Sequence, residues 1–92
     1  MSKWIKFEQK PRIIDQKTDI WYVKSREREL LLGEIMWCAS WRSYAFFPES
    51  NTMFEDDCLR DIAQFIKDKM DERNKKRIER EQRRILNEKK AH

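Results

Sequence analysis

The sequence predicts an α+β fold: a three- or four-stranded antiparallel β-meander covered by one long C-terminal α-helix. Two stretches, 20–24 and 30–48, are dense in β-branched and aromatic residues, and the second alternates with period two, as half-buried strands do. From Cys58 the apolar period lengthens to about 3.6 residues, with Leu59, Ile62, Phe65, Ile66 and Met70 on one helical stripe. Charged residues make up 41% of the 92, and there are only 1 Gly and 2 Pro. So much charge and so few turn-formers exclude a many-stranded sandwich or barrel. A chain this short holds a single domain with a thin core.

Taken in order, residues 3–8 (KWIKFE) alternate weakly and form a candidate edge strand that Pro11 ends. Residues 9–19 are polar apart from Ile13 and Ile14 and suit a loop. IWYVK at 20–24 is a strong strand signal. The charged run SRERE at 25–29 joins it to the next strand; lacking Gly, it fits a connection longer than two residues. In the strand at 31–38, alternation sets Leu31, Gly33, Ile35 and Trp37 on one face and Leu32, Glu34, Met36 and Cys38 on the other. A Gly within a strand marks a bulge or a close neighbour. Ala39-Ser40 is short enough to be the turn. Beyond it, Trp41, Ser43, Ala45 and Phe47 share one face and Arg42, Tyr44 and Phe46 the other, until Pro48 ends the ladder. PESNTMF at 48–54 is a turn-rich connection. Thr52 or Glu55 can cap the helix, and Asp56 and Asp57 suit the positive end of its dipole.

Charge divides the chain in two. Residues 1–70 hold twelve Lys/Arg and twelve Asp/Glu, whereas 71–92 hold nine and five, so the whole formal charge of +4 lies in the tail. The sequence therefore predicts a body at 1–70 and a projecting basic helical arm at 71–92. A helix from Asp56 to Lys90 is ~52 Å long at ~1.5 Å per residue. A body of that size is only about 30 Å across, so the last turns overhang it. Asp71–Lys75, Glu72–Lys76 and Glu79–Arg83 are spaced for ion pairs one turn apart. Arg73, Lys76, Arg77, Arg80, Arg83 and Arg84 follow three/four spacing and form a basic stripe. Such a stripe fits a phosphate backbone or an acidic protein face; a solvated, self-paired helix is the plainer alternative. Ile78, Ile85 and Leu86 add a weak apolar seam that suits a homodimer contact but is too short for a coiled coil.

Little in the chain supports catalysis. The one His is His92, the last residue, which removes His-based triads and His-containing metal sites. Cys38 and Cys58 have no CxxC or His partner and read as packed, reduced thiols; Cys58, near a helix start, is the one whose pKa such a position can lower. Glu55, Asp56, Asp57 and Asp61 cluster at the helix start, where capping explains them better than a hard-cation loop. A single Gly rules out phosphate-cradling glycine loops. The expectation is a binding protein: no catalytic residue, no metal and no cofactor. No apolar run approaches the ~20 residues of a membrane span, and MSKWIKFEQK has no export-type apolar core. The expected location is the cytoplasm, away from membranes.

The binding candidates are aromatic and basic. A sheet covered by one helix has a second, open face, and alternation offers Arg42, Tyr44 and Phe46 to it, flanked by Lys24, Arg26 and Arg28. Such a face can stack bases or anchor a protein partner. Alternatively both faces are filled, one by the helix and one by the N-terminal segment.

These residues also carry a resemblance. LGEIMW at 32–37, WRSYAFFP at 41–48, NTMF at 51–54 and CLRDIAQFI at 58–66 resemble an LGxIxW…WRxYxFxP…NTxF…CLxxIxxFI pattern. That pattern belongs to short, mostly uncharacterised proteins of phages and mobile elements, especially from Bacteroidota. The likeness covers about residues 20–66 and leaves the arm outside. It implies a phage or mobile-element protein, and proteins of such origin include inhibitors of host defence, anti-CRISPR proteins among them. The leading functional expectation is therefore a non-enzymatic inhibitor in the host bacterial cytoplasm. Its partner would be a defence effector, an RNA-guided nuclease with its guide RNA, RNA-targeting type VI effectors included, with direct RNA contact through the arm. The alternative is a stand-alone nucleic-acid-binding protein using the basic arm and an aromatic sheet face.

Overall fold

The computed structural model describes the backbone of residues 3–90 and the side chains of residues 3–84. Its elements are β1 (Ile5–Gln9), β2 (Trp21–Ser25), β3 (Leu31–Cys38), β4 (Ser43–Pro48) and α1 (Asp56–Lys90). The four strands form one antiparallel sheet in the order β1-β2-β3-β4, the simple meander that short connections favour. The fold is α+β, as the sequence predicts, and the N-terminal segment is its fourth strand. No helix among the described residues is long and apolar enough to cross a membrane.

One face of the sheet is the core. Ile5, Trp21, Val23, Ile35 and Tyr44 from the strands meet Cys58 and Ile62 from the helix, and all are buried. An aromatic chain runs through this layer: Phe7 stacks on Phe65 with ring centroids 4.1 Å apart, and Trp21 meets Phe65 at 5.3 Å and Tyr44 at 5.2 Å, both edge-on. Such geometries add about 0.5–1.5 kcal/mol per pair beyond area burial. Phe46 packs edge-on against Phe54 at 5.1 Å, which closes the layer near the start of the helix.

Tyr44 and Phe46 therefore do not lie on the open face, where the sequence had offered them to a partner. Pairing sets Tyr44 opposite Trp37 and Phe46 opposite Ile35, so both share the Gly33–Ile35–Trp37 side. That side carries the larger apolar surface, and the helix covers it because burying it releases more free energy. Tyr22, Glu34, Met36, Cys38, Ala45 and Phe47 take the opposite side by alternation. The β3–β4 turn also differs from expectation: it spans 39–42, so Trp41 and Arg42 leave the strand and stand at the hairpin tip. The Arg42 N–H donates to the Ala39 carbonyl at 3.3 Å, and Arg42 closes the turn in the left-handed region at φ 51°.

Gly33 satisfies both readings of a strand glycine. The register shifts between Val23 and Lys24, leaving Leu32 as the extra residue between paired Gly33 and Leu31. A Cβ on Gly33 would lie 2.5 Å from the Phe46 ring and 2.6 Å from the Phe47 carbonyl oxygen, so no larger residue fits.

Glu55 is the helix cap. Its carboxylate accepts from the Cys58 N–H at 2.7 Å, and its carbonyl accepts from Leu59 N at 3.1 Å. Thr52 instead donates its hydroxyl to the Glu49 carbonyl at 2.7 Å. From this cap α1 crosses the sheet and then leaves it: Met70 is half-buried and every residue from 71 to 84 is exposed. The molecule measures 59 × 28 × 24 Å, the long dimension accommodating a helix that outruns the sheet.

Candidate functional site

The most distinctive surface is where the helix parts from the sheet. The face of α1 that packs on the sheet does not end at Met70; it changes chemistry. At about 100° per residue, Ile66, Met70, Arg73, Arg77 and Arg80 all lie within about 80° of Ile62 around the axis. The stripe that is apolar over the sheet becomes basic beyond it. The change takes place over the last aromatic rings of the core. The Lys69 ammonium sits 5.4 Å from the Trp21 ring centre and 5.2 Å from that of Phe65. The Arg73 guanidinium lies 4.2 Å from the centre of the Trp37 ring, which itself meets Tyr44 edge-on at 5.4 Å. A cation held over an indole keeps its charge and remains available to an anion on its other side.

Across from the arm stand the loops at this end of the sheet. Arg12 and Lys17 come from the β1–β2 connection and Arg42 from the β3–β4 turn. Together with the arm they enclose a groove of about 910 Å³, floored by Trp21, Trp37 and Tyr44. Its lining includes eight Lys/Arg and three Asp/Glu. The acids are already engaged: Asp19 accepts from Arg12 at 2.5 Å and from Gln9 at 3.1 Å, Glu72 faces Lys69 at 3.4 Å, and Glu81 faces Arg77 at 3.5 Å. Asp19 holds the Arg12 guanidinium further above its usual pKa through their hydrogen bond and charge attraction. Among the described residues, Lys17, Arg42, Lys76 and Arg80 have no carboxylate within ion-pair distance. The pairing Glu72–Lys76 expected from spacing is replaced by Glu72–Lys69, which leaves Lys76 to the groove.

The candidate residues from sequence thus divide. Arg42, Tyr44, Arg73, Lys76, Arg77 and Arg80 meet in this groove. Tyr44 is buried and contributes an edge of the floor, while Phe46 is packed away against Phe54. Arg83 and Arg84 continue the arm, exposed, beyond the groove. Arg26 and Arg28 stand at the opposite end of the sheet, in the β2–β3 turn. There the Arg26 backbone N–H donates to the Trp4 carbonyl and its Nε to the Ile5 carbonyl, both at 3.0 Å. These two arginines cannot share a ligand-sized site with the arm. Arg12 and Lys17 are the groove residues that sequence reasoning missed, because nothing in a polar loop says which end of the sheet it crosses.

The remaining candidates carry no comparable arrangement. Glu55, Asp56 and Asp57 bring carboxylate oxygens within 4.8 Å of one another, all exposed. Glu55 is engaged in the cap, which draws its pKa below the usual carboxylate range through hydrogen bonds from Cys58, and Asp56 faces Arg60 at 3.6 Å. The Cys58 thiol is pushed up to about 11 by burial and by the Glu55 carboxylate beside it, which makes it a poor nucleophile. Ile78 on the arm is 54% exposed, and the Ile85 and Leu86 side chains and His92 lie outside the described residues.

No family model and no solved structure matches the chain. Over 51 residues, 55% of this chain, it is 35% identical to an uncharacterised 9.3 kDa protein of Acholeplasma phage L2. The match spans 65% of that relative's length, just short of two thirds. The chain is thus similar to a short phage protein.

Proposed function

We propose that this chain is a non-enzymatic nucleic-acid-binding protein that grips a phosphate backbone between its arm and the end of its sheet. The observation that carries the reading is the groove, where cations from three separate segments converge over an aromatic floor. Phosphates are the common biological anions that repeat at a spacing a helical basic stripe can follow. A solvated, self-paired helix would scatter its basic residues and match each with an acid. Here the basic face is continuous with the core stripe, and its carboxylates are on other faces or already paired.

The test is binding of labelled single-stranded and duplex oligonucleotides at low salt, read by fluorescence anisotropy. The full chain is expected to bind and the Lys76→Glu/Arg80→Glu variant to lose binding with unchanged thermal unfolding, since both residues are exposed on the overhang. A full chain that ignores nucleic acid at low salt ends the proposal.

The likeness to a phage protein favours a second, narrower reading: inhibition of a host defence nucleoprotein, of anti-CRISPR type, in the bacterial cytoplasm. In that case the groove takes the guide RNA of an RNA-guided nuclease. Pull-down of candidate effectors with the tagged protein, followed by cleavage assays, tests it; undiminished cleavage by every candidate effector rejects it.

A further inference from the structure

We infer that the tip of the β3–β4 hairpin is a base-stacking subsite, and that the nucleic acid taken by the groove is single-stranded. This rests on the phosphate-binding reading above and sharpens it.

Two neighbouring residues at the tip are poorly explained by folding alone. Trp41 is 79% exposed, although an indole is among the side chains with most to gain from burial. Arg42 adopts φ 51°, a conformation in which Gly or Asn is far less strained than a long side chain. A four-residue hairpin turn needs neither an indole nor a guanidinium. Asp15, Glu29 and Asn51 share this backbone region at other turns, so it is the exposed indole next to Arg42 that sets the tip apart. Arg42 lines the groove, so Trp41 stands one residue from its lip. The tip therefore offers a solvent-facing π surface beside a cation already aimed at the phosphates.

Stacking selects the form of the ligand. Bases inside a duplex are covered by their neighbours, and an exposed indole reaches a base face only when the strand is unpaired. The direction of the arm points the same way. A basic helix can enter a duplex major groove about 12 Å wide, but only if the basic side is free of its own protein. Here Arg73, Arg77 and Arg80 face the body, with Arg42 and the β1–β2 loop on the other side. A strand threaded between these walls places phosphates on the cations and a base at Trp41.

The experiment compares the full chain with Trp41→Ala and Trp41→Phe on a labelled oligo-uridine strand, the same strand with abasic sites, and a duplex of equal length. Expected are tighter binding of the strand than of the duplex and a loss of about tenfold for W41A on the strand. W41F should recover most of that loss. Abasic sites should weaken the wild type and leave W41A unaffected. Thermal unfolding of W41A should match wild type because the side chain is exposed. If W41A binds the strand like wild type, or the duplex binds as tightly as the strand, the stacking subsite is rejected while the groove reading survives. If wild type binds neither strand nor duplex, both readings fall.

Discussion

The groove makes a quantitative claim about salt. Arg42, Arg73, Lys76 and Arg80 are, with the loop residue Lys17, the groove cations without a carboxylate partner among the described residues; the first four line the path between the arm and the hairpin tip, and each that meets a phosphate releases a condensed counterion. Four such contacts on a single strand give log K against log salt a slope of about −2.8, so raising salt from about 50 to about 200 mM should weaken binding by about 50-fold. Neutralising Lys76 and Arg80 as Lys76→Gln/Arg80→Gln removes two contacts. The slope should fall to about −1.4, and the same salt step should then cost only about sevenfold. Both side chains are exposed on the overhang, so neither substitution disturbs the core. Anisotropy titrations at four or five salt concentrations, wild type beside the variant, measure the two slopes directly. Equal slopes would show that these cations do not meet the phosphates, and a wild-type slope near zero would remove electrostatics as the basis of binding.

Other expectations concern the body. Gly33→Ala places a methyl against the Phe47 carbonyl, which the β3–β4 pairing fixes, so urea unfolding should show a loss of about 1–3 kcal/mol. Glu55 has a folded pKa below its unfolded value, so the stability it contributes is present above the ordinary carboxylate range and is lost as pH falls through the folded pKa. Glu55→Ala should therefore lower the melting temperature at neutral pH and flatten the acid limb of the melting profile; an unchanged acid limb would remove the cap from the account. Cys58, buried and with its thiol pushed up to about 11, should resist a disulfide reagent until the protein unfolds, whereas the half-buried Cys38 reacts first. Cys38→Ala isolates the slow thiol and measures this.

Which parts of the structure were legible in the sequence follows from what each depends on. The helix boundaries depend on local signals, the acids at Asp56 and Asp57 and an uninterrupted run without Gly or Pro, and these can be read directly. The strands depend on β-branched and aromatic density and are equally local. The choice of covered face is not local. Trp41 and Phe47 weigh as much in a pattern as Tyr44 and Phe46, and only the competition between whole faces for the helix decides. A four-residue turn with Arg in the left-handed region is also invisible to pattern, because turn statistics assign that position to Gly or Asn. The groove was half legible. Following the three/four spacing past Met70 puts Arg73, Arg77 and Arg80 on the core-facing side; Arg12 and Lys17 join them only once the direction of the helix across the sheet is known.

That continuity gives the helix a double role with one geometric cause. A helix whose inner face were apolar throughout would need the sheet to extend beneath it, or would expose a greasy overhang prone to self-association. A helix whose basic residues faced outward would leave the space under the overhang empty of charge. Changing the inner face from Ile66 and Met70 to Arg73, Arg77 and Arg80 keeps the overhang soluble, and the Arg73–Trp37 contact spans the boundary. The same packing that fixes Phe65 against Phe7 and Trp21 thereby fixes where the cations stand relative to Arg42. Mutations in the aromatic layer should for this reason disturb ligand binding before they unfold the protein, since a small rotation of α1 on the sheet moves its overhanging cations through a larger arc than its buried turns.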